Sequence, residues 1–124
     1  LAIDKKIDHV TVGMIKLEKL ISWFYLILAI IFEVSGTTCM KLSQEFTKLI
    51  PSIFIFVFYG LCLTFLTLSL RTIPVSIVYS IWAGLGTLII ANISVIWFNE
   101  TLTLIKIISM FLIIVGIAGL NWES

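Results

Sequence analysis

Four stretches of this chain, each about 20 residues long or more, carry almost no charge, and that pattern leaves few folds open. A helix needs about 20 mainly apolar residues to cross the hydrocarbon core of a bilayer. The stretches cover residues 20–40, 49–70, 73–98 and 103–121. In lipid a spanning segment has no water to satisfy its backbone N–H and C=O groups, so it must pair them internally as a helix. Charged residues make up 12% of the 124-residue chain, against about 25% in soluble domains. Mean hydropathy is +1.20. A soluble fold this small cannot bury so much apolar surface. The sequence therefore predicts an all-α integral membrane protein, a bundle of four transmembrane helices with the lipid bilayer as its solvent.

The connections are short. Residues 41–48 (KLSQEFTK) form a polar loop, 71–74 (RTIP) a tight link with proline at the next helix start, and 99–101 (NET) a polar turn. Thr101 is the expected N-cap of the fourth helix, and Lys106 is close enough to its start to snorkel into the headgroups. Residues 1–19 read as a charged N-terminal extension and 20–122 as one helical unit, with both termini on the same side. Met14 is a candidate natural start, which would make 1–13 an upstream extension, so those residues are set aside from the fold reasoning. The first apolar run ends without an Ala-x-Ala-like site and has an acid in its middle, so it does not read as a cleaved signal.

Composition also excludes several functions. The net charge of +1 and the lack of a basic block argue against nucleic acid. Cys39 and Cys62 sit in or beside apolar runs without a CxxC pattern, and the single histidine, His9, lies outside them. Neither a metal site nor a cofactor is expected, and the cysteines read as buried apolar thiols rather than a disulfide. No hydrolytic triad or phosphate loop is present, so the chain does not read as an enzyme. Lys16, Lys19 and Arg71 fall on one side of the membrane and Lys41, Lys48 and Lys106 on the other. This three-against-three balance gives the positive-inside rule no preference, which permits insertion in both orientations. Counting Lys5 and Lys6 makes it five against three.

Glu33 is the most informative residue. An acid in the middle of a spanning helix costs on the order of 3 kcal/mol on insertion scales, and such residues mark ion or substrate pathways. The structural alternative is a protonated glutamate bonded to a neighbouring helix. At helical spacing Glu33 shares its face with Leu26, Ala29, Gly36, Thr37 and Met40. Small and hydroxyl side chains there leave room for a ligand, or for close helix contact. On the third helix Tyr79 and Trp82 share a face, and aromatic rings beside a carboxylate suit a hydrophobic cation. Tyr59 is a weaker candidate of the same kind. Gly84 and Gly86 permit a bend in helix 3, within a stripe of small residues that includes Ser76, Ser80, Ala83, Thr87, Ala91 and Ser94. Ser109, Gly116 and Gly119 give helix 4 a small face suited to helix association. Trp97 and Trp122 lie at helix ends as interfacial anchors.

Residues 33–43 (EVSGTTCMKLS) resemble the EVxGTTxMKxS signature of the small multidrug resistance (SMR) transporters. Residues 46–52 (FTKLIPS) and 77–86 (IVYSIWAGLG) resemble the family's following loop and third-helix motif, and the likeness covers about residues 22–121. The resemblance implies an antiparallel homodimer of dual-topology subunits in a bacterial inner membrane. It implies exchange of protons for cationic small molecules, with the Glu33 residues of two subunits sharing one site. It implies that Tyr59, Tyr79 and Trp82 line that site, that Ala29, Gly36 and Thr37 flank the acid, and that Gly84 and Gly86 mark the helix-3 bend. Ser109 and Gly116 would lie on the dimer face, with serine where the family often has glycine.

The guanidinium-exporting branch typically has tryptophan three residues after the acid, where this chain has Gly36, so the Gly-Thr-Thr form looks like the quaternary-ammonium branch. Phe32 stands where multidrug members often have a small residue, and is expected to narrow the pocket. Residues 98–102 (FNETL) look like members that work as heteromeric pairs, including polyamine exporters. A polyamine or guanidinium exporter with a paired SMR partner, and a non-transporting assembly subunit, therefore stand as alternatives.

Overall fold

The computed structural model describes residues 2–122. Leu1, the first residue of the 1–19 extension, lies outside them. Four helices follow in order: α1 Ala2–Leu42, α2 Leu49–Ser69, α3 Val75–Ile96 and α4 Leu104–Trp122. Each is long and apolar enough to cross a membrane. At 1.5 Å per residue the 41-residue α1 is about 60 Å long, roughly twice the hydrocarbon thickness. The charged segment before residue 20 continues the first span without a break. Its lysines, Glu18 and Leu17 are good helix formers, and the about 1 kcal/mol cost of Gly13 is too small to interrupt it. Where α1 leaves its apolar run, Glu18 pairs with Arg71 of the α2–α3 link at 3.6 Å.

The helix ends follow local chemistry. Pro74, at ψ 146°, stands just before α3, and its carbonyl accepts from the N–H groups of Ile77 and Val78. The expected span 73–98 accordingly starts two residues later, and it ends at Ile96 with Trp97 as the C-cap. Thr103, not Thr101, caps α4: its Oγ1 accepts from the Lys106 N–H at 3.2 Å. The helix begins at Leu104, so the residue next to it is the one whose side chain reaches the free amides. Thr101 instead offers its carbonyl to the Lys106 ammonium at 2.7 Å.

Between α1 and α2, Gln44, Glu45 and Phe46 all have positive φ, which is unfavourable for residues with side chains. Buried Ser43 holds them in place. Its hydroxyl donates to the Met40 carbonyl and accepts from the Phe46 N–H, and its carbonyl accepts from the Lys48 N–H.

α1 packs most extensively on α2 and also against α3, while α4 rests chiefly on α3. The buried cluster joins Leu26, Ile30 and Val34 of α1 to Ile73, Ile77, Val78 and Ile81. The α1–α2 contact also carries aromatic stacks, Tyr25 on Phe65, Phe65 on Phe32, and Phe32 on Phe58, with centroids 5.6 to 6.1 Å apart. α4 has no buried residue among those described. In lipid, exposed leucine and isoleucine incur no hydrophobic cost, so a helix can be held by one neighbour.

Candidate functional site

Glu33 comes from the membrane-spanning part of α1, nine residues before its end, and faces α3. Its Oε1 accepts a hydrogen bond from the Thr37 hydroxyl, one turn on, at 3.0 Å. The Thr37 oxygen lies 2.7 Å from the Tyr59 hydroxyl of α2. A hydroxyl has one proton, and Thr37 gives its own to Glu33, so Tyr59 donates to Thr37. The result is a directed chain, Tyr59 to Thr37 to Glu33, across two helices. Gly36 makes it possible: a Cβ there would stand 2.6 Å from the Tyr59 ring.

The other carboxylate oxygen, Oε2, is buried with no hydrogen-bond partner. It approaches α3 at Gly86, where a Cβ would stand 2.6 Å from it. A cavity of about 280 Å³ opens here, lined by Glu33, Tyr79, Trp82, Ala83, Gly86 and Thr87. Tyr79 and Trp82 meet edge to face at 5.7 Å. The Trp82 indole N–H is also buried without an acceptor, and the buried Cys62 thiol lies near it outside hydrogen-bond geometry. Buried polar groups are normally satisfied. Glu33 Oε2 and the Trp82 N–H, on residues lining one cavity, are exceptions. A carboxylate oxygen beside two aromatic rings suits a cation that has shed its water.

The structure thus brings together Glu33, Tyr79 and Trp82 at the cavity and sets Thr37 and Tyr59 behind the carboxylate. Ala29 is wholly buried and is not part of the cavity lining. Phe32 does not narrow the pocket. It sits in the α1–α2 aromatic stack, because residue 32 is one position, about 100°, around the helix from Glu33. α3 is one helix through Gly84 and Gly86, and both glycines serve close approach. Gly86 admits Glu33, and Gly84 admits Ile117 and Ile113 of α4. On α4, Gly116 and Gly119 have nothing near their missing side chains, so that small face is open. Trp97 and Trp122 are exposed at helix ends.

Ala83 and Thr87, which the sequence places in a packing stripe, line the cavity instead. The alternation of small residues along α3 does not say which side faces the acid. Cys62 was also not readable as a neighbour, since nothing in α2 alone sets its rotation. A larger hollow of about 660 Å³ lies at the α1–α2 loop, lined by Lys41, Glu45 and Lys48 among others. It lacks the unsatisfied buried atoms that distinguish the Glu33 cavity.

Four spanning helices, with a carboxylate and an aromatic pair lining a cavity between α1 and α3, define a multi-pass membrane protein. Residues 21–113 match the family model described as Small Multidrug Resistance protein. The chain belongs to the small multidrug resistance family. It is 49% identical over 100 residues to the membrane protein YvaE of Bacillus subtilis (strain 168), covering 81% of this chain and 84% of that one. It is 42% identical over 99 residues to the quaternary ammonium compound-resistance protein QacC of Staphylococcus aureus, covering 80% and 92%. It is 38% identical over 104 residues to the multidrug resistance protein EbrA of Bacillus atrophaeus, covering 84% and 99%.

Proposed function

We propose that the protein is a proton-coupled antiporter that exports hydrophobic and quaternary-ammonium cations across a bacterial inner membrane. The observation that carries this reading is the buried Glu33 Oε2, unpartnered in a cavity edged by Tyr79 and Trp82. Two relatives named for quaternary-ammonium and multidrug resistance support the substrate class.

In this mechanism protons and a cation compete for the same carboxylates. Two chains pair antiparallel, with the Glu33 of each contributing to one shared site and the open Ser109, Gly116 and Gly119 face of α4 at the contact. External acid loads protons, and an internal cation displaces them. The Tyr59–Thr37 chain holds one carboxylate oxygen in place while the other meets the ligand. Flexing of α3 about Gly84 and Gly86 exchanges access between the two sides.

The test is transport in proteoliposomes. Glu33→Gln keeps the shape of the side chain and loses its titrating charge. It is expected to insert and fold but to abolish proton-driven uptake of quaternary cations. If the glutamine variant still moves substrate against a proton gradient, the mechanism is wrong. Glu33→Asp is expected to retain transport with a shifted pH profile, because the charge remains one methylene back.

A further inference from the structure

The Glu33 cavity does not end at Glu33. It shares Ile90 with a second cavity of about 260 Å³, lined also by Thr37, Lys41, Ala91, Ser94 and Glu100. It shares Thr87 with a third, of about 320 Å³, that reaches Ala91, Ser94 and Glu100 as well. The three cavities follow one another along α3, sharing lining residues, and Glu33 and Glu100 are the acids among those residues.

The position of Glu100 is set by the backbone. Asn99 takes a left-handed conformation at φ 56°, and the Glu100 N–H folds back to donate to the Ser94 carbonyl at 3.0 Å. The Glu100 side chain is exposed and makes no ion pair among the described residues. Of the lysines nearby, Lys106 is engaged by the Thr101 carbonyl, and Lys41 lines the second cavity without pairing to Glu100. Gly86, where Glu33 touches α3, and Ser94, which anchors Glu100, are eight residues apart, or about 12 Å along the helix.

We infer that Glu100 is a second cation-binding carboxylate, and that the row of cavities takes elongated dications with one charged end at Glu33 and the other at Glu100. This rests on the cation-export reading of Glu33. A single-headed cation uses only the inner carboxylate. A two-headed one with an apolar spacer lays the spacer along Ile90 and Ala91 and places its second charge beside Glu100. Glu100 is then a determinant of substrate length and charge, with no part in proton coupling.

The experiment is calorimetric titration of the purified full-length protein in detergent with three probes. These are decyltrimethylammonium, its two-headed counterpart decamethonium, and the shorter hexamethonium. An exposed ion pair contributes a factor of about 1.4 to 5 in affinity. Glu100→Gln is expected to weaken decamethonium by that factor and to leave decyltrimethylammonium and hexamethonium unchanged. Equal weakening of all three probes, no weakening of decamethonium, or failure of the unaltered chain to bind decamethonium overturns the inference alone. If the unaltered chain does not bind decyltrimethylammonium, or binds it equally well with Glu33→Gln, the cation-export reading falls and this inference with it.

Discussion

At the scale of single residues, the site depends on groups left incomplete. Glu33 Oε1 is held by Thr37, and Thr37 by Tyr59, so the carboxylate has a fixed orientation before any ligand arrives. Oε2 and the Trp82 indole N–H are buried without partners. An orphaned buried polar group costs about 1–3 kcal/mol, and a ligand or water that satisfies it recovers that cost on binding. Trp82 also packs against the buried cluster, so truncating it tests two roles at once. A desolvated cation–π contact contributes about 2 kcal/mol, roughly 30-fold in affinity. Trp82→Ala is therefore expected to weaken binding of quaternary cations by about that factor, and more than it lowers the yield of folded protein. Trp82→Phe is expected to recover part of the affinity. Calorimetry alongside size-exclusion yield separates the roles, and equal losses in both would assign Trp82 to packing. Trp122, 90% exposed, should tolerate alanine with little effect on binding.

At the scale of helices, two glycines perform different tasks that substitution can separate. A Cβ at Gly36 would meet the Tyr59 ring, a rigid group locked between α1 and α2. Gly36→Ala is expected to push these helices apart and cost about 1–3 kcal/mol of stability, as overpacking does. A Cβ at Gly86 would meet only the tip of the Glu33 side chain. Gly86→Ala is expected to leave thermal stability nearly unchanged while displacing the carboxylate and weakening cation binding. Thermal unfolding and calorimetry on both variants decide this. If Gly86→Ala is the more destabilised of the two, the Glu33 contact belongs to the packing rather than to the site.

For the whole molecule, the four spans and their order were legible in the sequence, because lipid imposes a length and a hydropathy that need no tertiary information. Glu33 was legible for the same reason, as a charge where charge is costly. The aromatic pair followed from helical spacing. What one helix cannot state is its rotation against the next. Phe32, Ala83 and Cys62 were misplaced or missed on that account, and Thr101 was preferred to Thr103 by a shift of two residues. Orientation in the membrane belongs to this scale too. With Lys16, Lys19 and Arg71 against Lys41, Lys48 and Lys106, the chain starting at Met14 is expected to insert both ways. Adding two lysines beside Arg71 should fix that loop in the cytoplasm, and adding two beside Lys48 should do the reverse. Each fixed variant alone should lose transport, and co-expression should restore it. Cysteine labelling from both membrane faces measures this. A single orientation in the unmodified chain would point to an oppositely oriented partner protein.

The unbroken length of α1 makes the helix a pointer. From Glu33 to His9 is 24 residues, so His9 stands about 36 Å from the carboxylate along a rod without a proline or a break. A tilt of about 10° centred on Glu33 would sweep His9 through about 6 Å, while residues near the pivot hardly move. Small motions inside the membrane are thus magnified in water, where probes are easily attached. Spin labels at His9 and Val75 should report a change of several ångströms in their separation when a quaternary cation replaces protons, and labels at the exposed Ile31 and Val75 a much smaller one. Equal changes at both sites would mean that α1 shifts as a piston rather than swinging as a needle.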